Sequence, residues 1–164
     1  MTTALDIQSR LIWDSLALQL RDKRLSCEGI SQVDLAKTLD ISINTMFRWE
    51  ARRKVPTLPN FVVWYSSLGF RLAVFEKLGG EAERPEVAEV EDDPVARELA
   101  RIFATLRAAR RERKVTQGRL ASVLGLALSS VRRWEDGSGL PRPLMLIKWA
   151  TALNCSLKLV PAAS

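Results

Sequence analysis

Arg132 and Arg133 stand side by side in Leu128-Ser-Ser-Val-Arg-Arg-Trp-Glu135, a segment whose apolar residues return at helical spacing. A guanidinium holds its N–H donors in a fixed fork, which matches the major-groove edge of guanine and also matches a phosphate. The chemistry within reach is therefore recognition by charged hydrogen bonds rather than bond-making. Catalysis has little else to use. The chain has no histidine, and its sequence holds no phosphate-cradling glycine loop and no nucleophile with a neighbouring base. Its two cysteines, Cys27 and Cys155, occupy unmatched places and read as reduced structural thiols. A non-enzyme with no cofactor and no metal is expected.

The arginine-bearing segment has a counterpart 85 places earlier. Residues 30–75 align with residues 115–160 without a gap, and 11 of those 46 positions are identical. The shared residues form a framework. Gln32, Leu35, Ala36, Leu39, Arg48, Trp49, Glu50, Pro56, Trp64, Leu68 and Leu72 return as Gln117, Leu120, Ala121, Leu124, Arg133, Trp134, Glu135, Pro141, Trp149, Leu153 and Leu157. Two copies of one folding unit follow, and the expected division is residues 1–76, an acidic linker over 77–94, and residues 95–164. Charge is shared unequally. Residues 1–76 carry ten basic and eight acidic side chains, 77–94 two and seven, and 95–164 thirteen and four, within a net +6. A polyanionic partner suits the last segment. The linker reads as a solvated spacer, or as acids that repel DNA or shield a basic face. The first residues lack a basic leader with an apolar core, and no run approaches the roughly 18 apolar residues of a membrane span. A cytoplasmic chain without membrane contact is expected.

The elements that must position these residues are mostly helices. Leu5, Leu11, Ile12, Leu16 and Leu20 predict an amphipathic helix from Thr3 to about Leu25. Ser31-Gln-Val-Asp34 has capping-box spacing for a second helix, and Ser42 is placed to cap a third that runs to about Glu50 or Arg52. A fourth, carrying Phe61, Val62, Trp64, Tyr65 and Leu68, ends at Gly69. Asp93-Pro94, Thr116 and Leu128–Asp136 mark the same plan in the second copy. Each fourth helix leads into an alternating stretch, 70–75 and 155–160, that reads as a short strand. Phe70, Leu72 and Val74 match Cys155, Leu157 and Leu159, so the two strands are expected to pair antiparallel about a pseudo-two-fold axis within one chain.

Two short helices joined by a turn, with a helix before and after, make the helix-turn-helix arrangement, which presents the second short helix to a DNA major groove. Leu106-Arg107-Ala-Ala-Arg110, Thr116-Gln117-Gly-Arg-Leu120-Ala121, Leu124-Gly125 and Arg133-Trp134-Glu135-Asp-Gly137 with Pro141 closely resemble the Cro/C1-type (XRE) helix-turn-helix repressors. The first copy resembles them through Leu20-Arg21-Asp-Lys-Arg24, Ser31-Gln32-Val-Asp-Leu35-Ala36, Leu39 and Arg48-Trp49-Glu50 with Pro56. The fold class implied is mainly α, with two tandem lambda-repressor-like domains, each ending in a short β-strand that pairs into a two-stranded antiparallel sheet. The strand stands in place of the family's common fifth helix; in some members, antitoxin-like ones included, such strands pair across a dimer. Asp40 replaces the usual turn glycine and Ala127 the usual polar cap, so each copy is expected to fold slightly differently from the family at its turn.

The resemblance implies site roles. Gln32 and Gln117 would hold a phosphate through their side-chain amides, or serve only as polar helix starts. Asn44 and Thr45 in one copy, and Leu128, Ser129 and Ser130 in the other, would face base edges, although helix capping also accounts for the polar ones. Arg132 and Arg133 are the candidates for reading guanine, with Arg133 and its counterpart Arg48 equally able to hold a phosphate. Phe47, where the second copy has Arg132, would touch a thymine methyl or mark a protein-binding surface. Arg52, Arg53 and Lys54, with Arg119, Arg107, Arg111, Arg113 and Lys114, would neutralise phosphates. Arg24 with Glu50 and Arg110 with Glu135 would join the first helix to the end of the third, and Trp49, Trp64, Trp134 and Trp149 would be core. The function implied is a sequence-specific double-stranded DNA-binding regulator, a repressor, working as a pseudo-dimer on an asymmetric or pseudo-palindromic operator. Beside it stands an antitoxin-like or antiactivator-like module whose first copy binds a protein, and self-association is also open.

Overall fold

The computed structural model describes residues 1–86 and 92–163. Their order is α1 (Ala4–Ser26), α2 (Gln32–Thr38), α3 (Ile43–Glu50), α4 (Leu58–Ser67) and β1 (Phe70–Glu76), then α5 (Pro94–Glu112), α6 (Gln117–Leu124), α7 (Leu128–Asp136), α8 (Pro143–Ala152) and β2 (Cys155–Pro161). The fold is mainly helical with one small sheet. Helix starts follow local chemistry. Thr3 with Asp6 and Ser31 with Asp34 form complete capping boxes, while Ser42, Thr57, Asp93 and Thr116 each accept a backbone N–H of the first turn. Ala127 offers no side-chain cap to α7.

The copies agree more closely in backbone than in sequence. From α2 onward the paired elements begin 85 residues apart. The left-handed residues repeat at the same step: Gly29 and Lys114, Asp40 and Gly125, Arg52 and Gly137, Gly69 and Asn154 all have positive φ. Each pair contains one glycine and one residue with a side chain. The turn that has lost its glycine is like the one that keeps it: Asp40 adopts φ 51° and Gly125 φ 67°. Ile41 N donates to Ala36 O at 3.0 Å, and Leu126 N donates to Ala121 O at 2.9 Å. Aspartate tolerates this conformation at a modest cost, so the turn survives the loss of its glycine.

β1 and β2 pair antiparallel, from Phe70 opposite Pro161 to Glu76 opposite Cys155. Ala73 lies opposite Lys158, its own counterpart in the repeat, which puts the local two-fold axis through that pair. Leu72, Val74, Leu157 and Leu159 face inward and are buried. The first helices reach across as well as staying on their own copies, where Trp13 meets Phe61 at 5.0 Å and Phe103 meets Trp149 at 5.9 Å between ring centroids. α1 packs on α8, and α5 packs on α4 and β1, so each copy's first helix covers the other copy's fourth. Buried side chains from both copies form one cluster that includes Trp13, Phe61, Trp64, Leu106, Leu146 and Trp149. Polar bonds span the same boundary. Tyr65 Oη donates to Glu98 at 3.0 Å, Gln19 donates to the Leu159 carbonyl at 3.2 Å, and Arg113 pairs with Glu76 and Lys148 with Asp6. Burial, then the negative charge of Glu98, pushes the Tyr65 phenol up and keeps it a donor.

Part of the segment read as linker is attached to the fold. Ala82 N donates to Val74 O at 2.8 Å, and Arg71 forms a two-pronged pair with Glu81, which also meets Arg84. Residues 87–91, within the acidic stretch given a spacer or shielding role, lie outside the described residues.

Candidate nucleic-acid interface

In α7, Val131, Trp134 and Glu135 are buried, and Leu128, Ser129, Arg132 and Arg133 are exposed. The helical period alone produces this division, because positions three and four apart share a face. The arginine pair thus points away from the core. In α3, Met46, Trp49 and Glu50 are buried and Ile43, Asn44, Phe47 and Arg48 are exposed. Thr45 and its counterpart Ser130 are half-buried at the helix shoulder rather than on the outward face. Thr45 shares a 3.0 Å hydroxyl contact with the cap residue Ser42.

Beneath each outward face lies the same ionic bracket. Arg24 donates from Nε to Glu50 Oε1 at 2.6 Å and from Nη2 to Oε2 at 2.9 Å; Arg110 grips Glu135 in the same two-pronged way, with Nη2 to Oε2 at 2.9 Å. Gln32 and Gln117 complete the brackets, each donating its amide to the second carboxylate oxygen at 2.7 Å. This explains why arginine, glutamine and glutamate repeat together. The first helix, the start of the second and the end of the third are tied through one carboxylate, which fixes the outward angle of α3 and of α7. An amide nitrogen has two hydrogens, so each glutamine keeps one donor beyond the bracket. The hydrogen bonds of Glu50 push the Arg24 guanidinium further up and hold it charged. Arg110 also donates to the Val115 carbonyl at 2.8 Å, a bond with no counterpart at Arg24.

The four repeated tryptophans are core: Trp49, Trp64 and Trp149 are almost wholly buried, and Trp134 nearly so. Trp49 lies against Trp64 at 5.8 Å between ring centroids, and Trp134 against Trp149 at 6.0 Å.

Basic side chains border both outward faces. Arg52, Arg53 and Lys54 are exposed just after α3, and Arg119 on α6 is exposed beside α7. Among the described residues, Arg48, Arg52, Arg53, Lys54, Arg119, Arg132 and Arg133 form no ion pair. Such unpaired cations leave the surface around both faces positive. Asp136 sits among them as a fixed anion. Hydrogen bonds from Ser138 and the charges of Arg107 and Arg133 hold its carboxyl below the usual range. Arg113 differs from expectation in that it pairs with Glu76 across the two copies.

Sequence reasoning missed Arg10, whose Nη2 donates to the Arg52 carbonyl at 2.6 Å and braces the left-handed residue after α3. It also missed where the two faces meet. The loops that follow α3 and α7 share one cleft, lined by Lys54, Val55, Pro56 and Thr57 on one side and by their counterparts Leu140, Pro141 and Arg142 on the other. The loops leaving both outward helices therefore meet at one cleft.

Residues 106–160 match the family described as helix-turn-helix. That places a helix-turn-helix of the XRE type, the kind found in DNA-binding transcription regulators, in the second half of the chain. No curated protein and no solved structure matches the chain. No described helix is long and apolar enough to cross a membrane.

Proposed function

We propose that this chain is a cytoplasmic, sequence-specific double-stranded DNA-binding regulator, a repressor, in which residues 1–76 and 95–164 each present a reading helix and act together as a built-in dimer. The observation that carries the reading is the outward pair Arg132 and Arg133. Both are exposed and free of ion pairs among the described residues, on a helix held from below by the Arg110–Glu135–Gln117 bracket. Support for joint action comes from the two-fold relation of the strands and from the cleft shared by the loops after α3 and α7. The reading residues differ, Asn44, Phe47 and Arg48 against Ser129, Arg132 and Arg133, so the half-sites are non-identical and lie about one helical turn apart or a multiple of it.

The test is selection of duplexes from a random library by the purified chain, followed by affinity measurement on the selected site. Recovery of a bipartite site whose binding depends on Arg132 and Arg133 supports the reading. If Arg132→Ala with Arg133→Ala leaves that affinity intact, α7 is not the reader and the proposal fails.

One observation favours a second reading, in which the first copy binds a protein, as an antitoxin-like or antiactivator-like module would. Val33, Ile43 and Phe47 are all exposed around α3, and an aromatic side chain in solvent suits a protein surface as well as a thymine methyl. Loss of a protein complex with Phe47→Ala, without change in DNA affinity, would establish it.

A further inference from the structure

The apolar side chains left in solvent are unequally divided between the copies. On α1, Ile7, Leu11, Leu18 and Leu25 are 55%, 65%, 38% and 62% exposed. The three leucines recur every seven residues on the side opposite the buried Trp13, Leu16, Ala17 and Leu20. The stripe runs roughly 27 Å along the helix at 1.5 Å per residue. It is not part of the repeated scaffold. Aligning the first helices on Arg24 and Arg110 puts Arg97, Ala104 and Arg111 of α5 where α1 has Leu11, Leu18 and Leu25.

We infer that this face of α1 is a self-association surface, covered by α1 of a second copy lying antiparallel across a two-fold axis at Leu18. The charges flanking the stripe select that occupant. With Leu18 on the axis, Leu11 of each copy meets Leu25 of the other. On one flank Asp14 falls within about one residue of Arg21 of the second copy, and the axis repeats the pair. On the other flank Ser15 meets Asp22. A parallel arrangement would instead set Asp14 on Asp14 and Arg21 on Arg21, two like-charge contacts. Both charges can take part: the Asp14 side chain is 34% exposed with only a 3.4 Å approach from Arg10, and Arg21 is exposed and in no ion pair among the described residues. A single helix pair is a small interface, so the association is weak, with a dissociation constant on the order of micromolar. If the DNA-binding reading holds, the pair of chains presents four reading helices and can bridge two sites.

Sedimentation velocity of the full chain without DNA, over a concentration series reaching about 100 µM, tests this apart from the DNA-binding reading. A concentration-dependent dimer is expected. Leu18→Glu is expected to weaken it at least about tenfold by forcing a charge into the contact, with circular dichroism showing the monomer still folded and Leu11→Glu, at a side chain 65% exposed, giving the same loss. Asp14→Arg is expected to weaken it, and adding Arg21→Asp to restore it. In a Cys27→Ser background, Leu18→Cys is expected to form a disulfide-linked dimer. A chain that stays monomeric throughout, or a dimer indifferent to Leu18→Glu and to the charge exchange, overturns the inference; a different protein on this face would appear as the first of these.

Discussion

The outward face of α7 offers Arg132 and Arg133, and the same face of α3 offers Phe47 and Arg48, on helices that begin 85 residues apart and rest on the same arginine–glutamate–glutamine bracket. The residues that hold the outward helix are repeated, and those on its exposed face, Arg48 and Arg133 apart, are not. Charge follows the second group: thirteen basic side chains against four acidic in residues 95–164, ten against eight in residues 1–76. Apolar exposure runs the opposite way, with Ile7, Leu11, Leu25, Val33, Ile43 and Phe47 all in solvent in the first copy. Divergence on a fixed scaffold has left one copy suited to a polyanion and the other more open to apolar contact.

The largest effect is expected where the copies are most alike. Glu50→Ala and Glu135→Ala each take the carboxylate from a largely covered guanidinium, which costs up to roughly 3–5 kcal/mol. The Glu135 change is expected to cost more, since the Arg110 side chain is 9% exposed and that of Arg24 is 13% exposed. Urea unfolding would read the difference, and a silent change at either site would end the equivalence of the brackets.

DNA affinity comes next. Arg132→Ala with Arg133→Ala is expected to weaken binding to a selected duplex about 100-fold, whereas Asn44→Ala with Arg48→Ala is expected to cost about tenfold. Equal losses in anisotropy titrations would mean that the copies share the reading. Phe47→Arg sharpens the contrast, because it places the second copy's side chain on the first copy's helix. It is expected to steepen the salt dependence by about one charge.

Acid should separate the copies more gently. The carboxyls of Asp6 and Asp34 are held below their ordinary range, the first mainly by Lys148 and then Thr3, the second by Ser31. Because the folded chain lowers these values, the stabilisation is present above the ordinary carboxylate range near pH 4 and is lost as pH falls through the lowered values. α6 starts on Thr116 with no acidic residue in its first turn. Amide exchange measured as pH falls below about 4 is expected to accelerate at the starts of α1 and α2 while the start of α6 is unaffected. Matching acceleration at all three would assign the change to global unfolding.

The smallest effect concerns the turns. Asp40→Gly is expected to stabilise the chain by up to about 1 kcal/mol, and Gly125→Asp to destabilise it by a similar amount, because both positions are left-handed and only glycine adopts that conformation freely. Thermal melts of the two variants would show whether the backbone tolerates side chains equally in both copies.

Helix starts were legible from single residues because a cap acts locally: Ser31 with Asp34, Ser42, Asp93 and Thr116 all do what their spacing implied. The burial of the tryptophans and the Arg–Glu pairs was legible too, since each recurs in both copies and an unpaired version would be costly. Gln32 and Gln117 were legible as important, but their shared bond to the bracket carboxylate was not. Lys148 with Asp6, Arg113 with Glu76 and Tyr65 with Glu98 left no sign in the sequence, because none has a repeated counterpart and each joins residues that only packing brings together.

The order of helices and strands and the division between framework and outward residues could be read from residue types alone, because periodicity, capping and identity at a fixed step act over short distances along the chain. The interlocking of the copies, with α1 on α8, α5 on α4, and Ala73 opposite Lys158 at the two-fold axis, comes from packing between distant segments. Burial of apolar faces has no direction along the chain, so each first helix could have covered its own copy alone. The paired strands and the polar bonds between the copies hold it against the other copy as well.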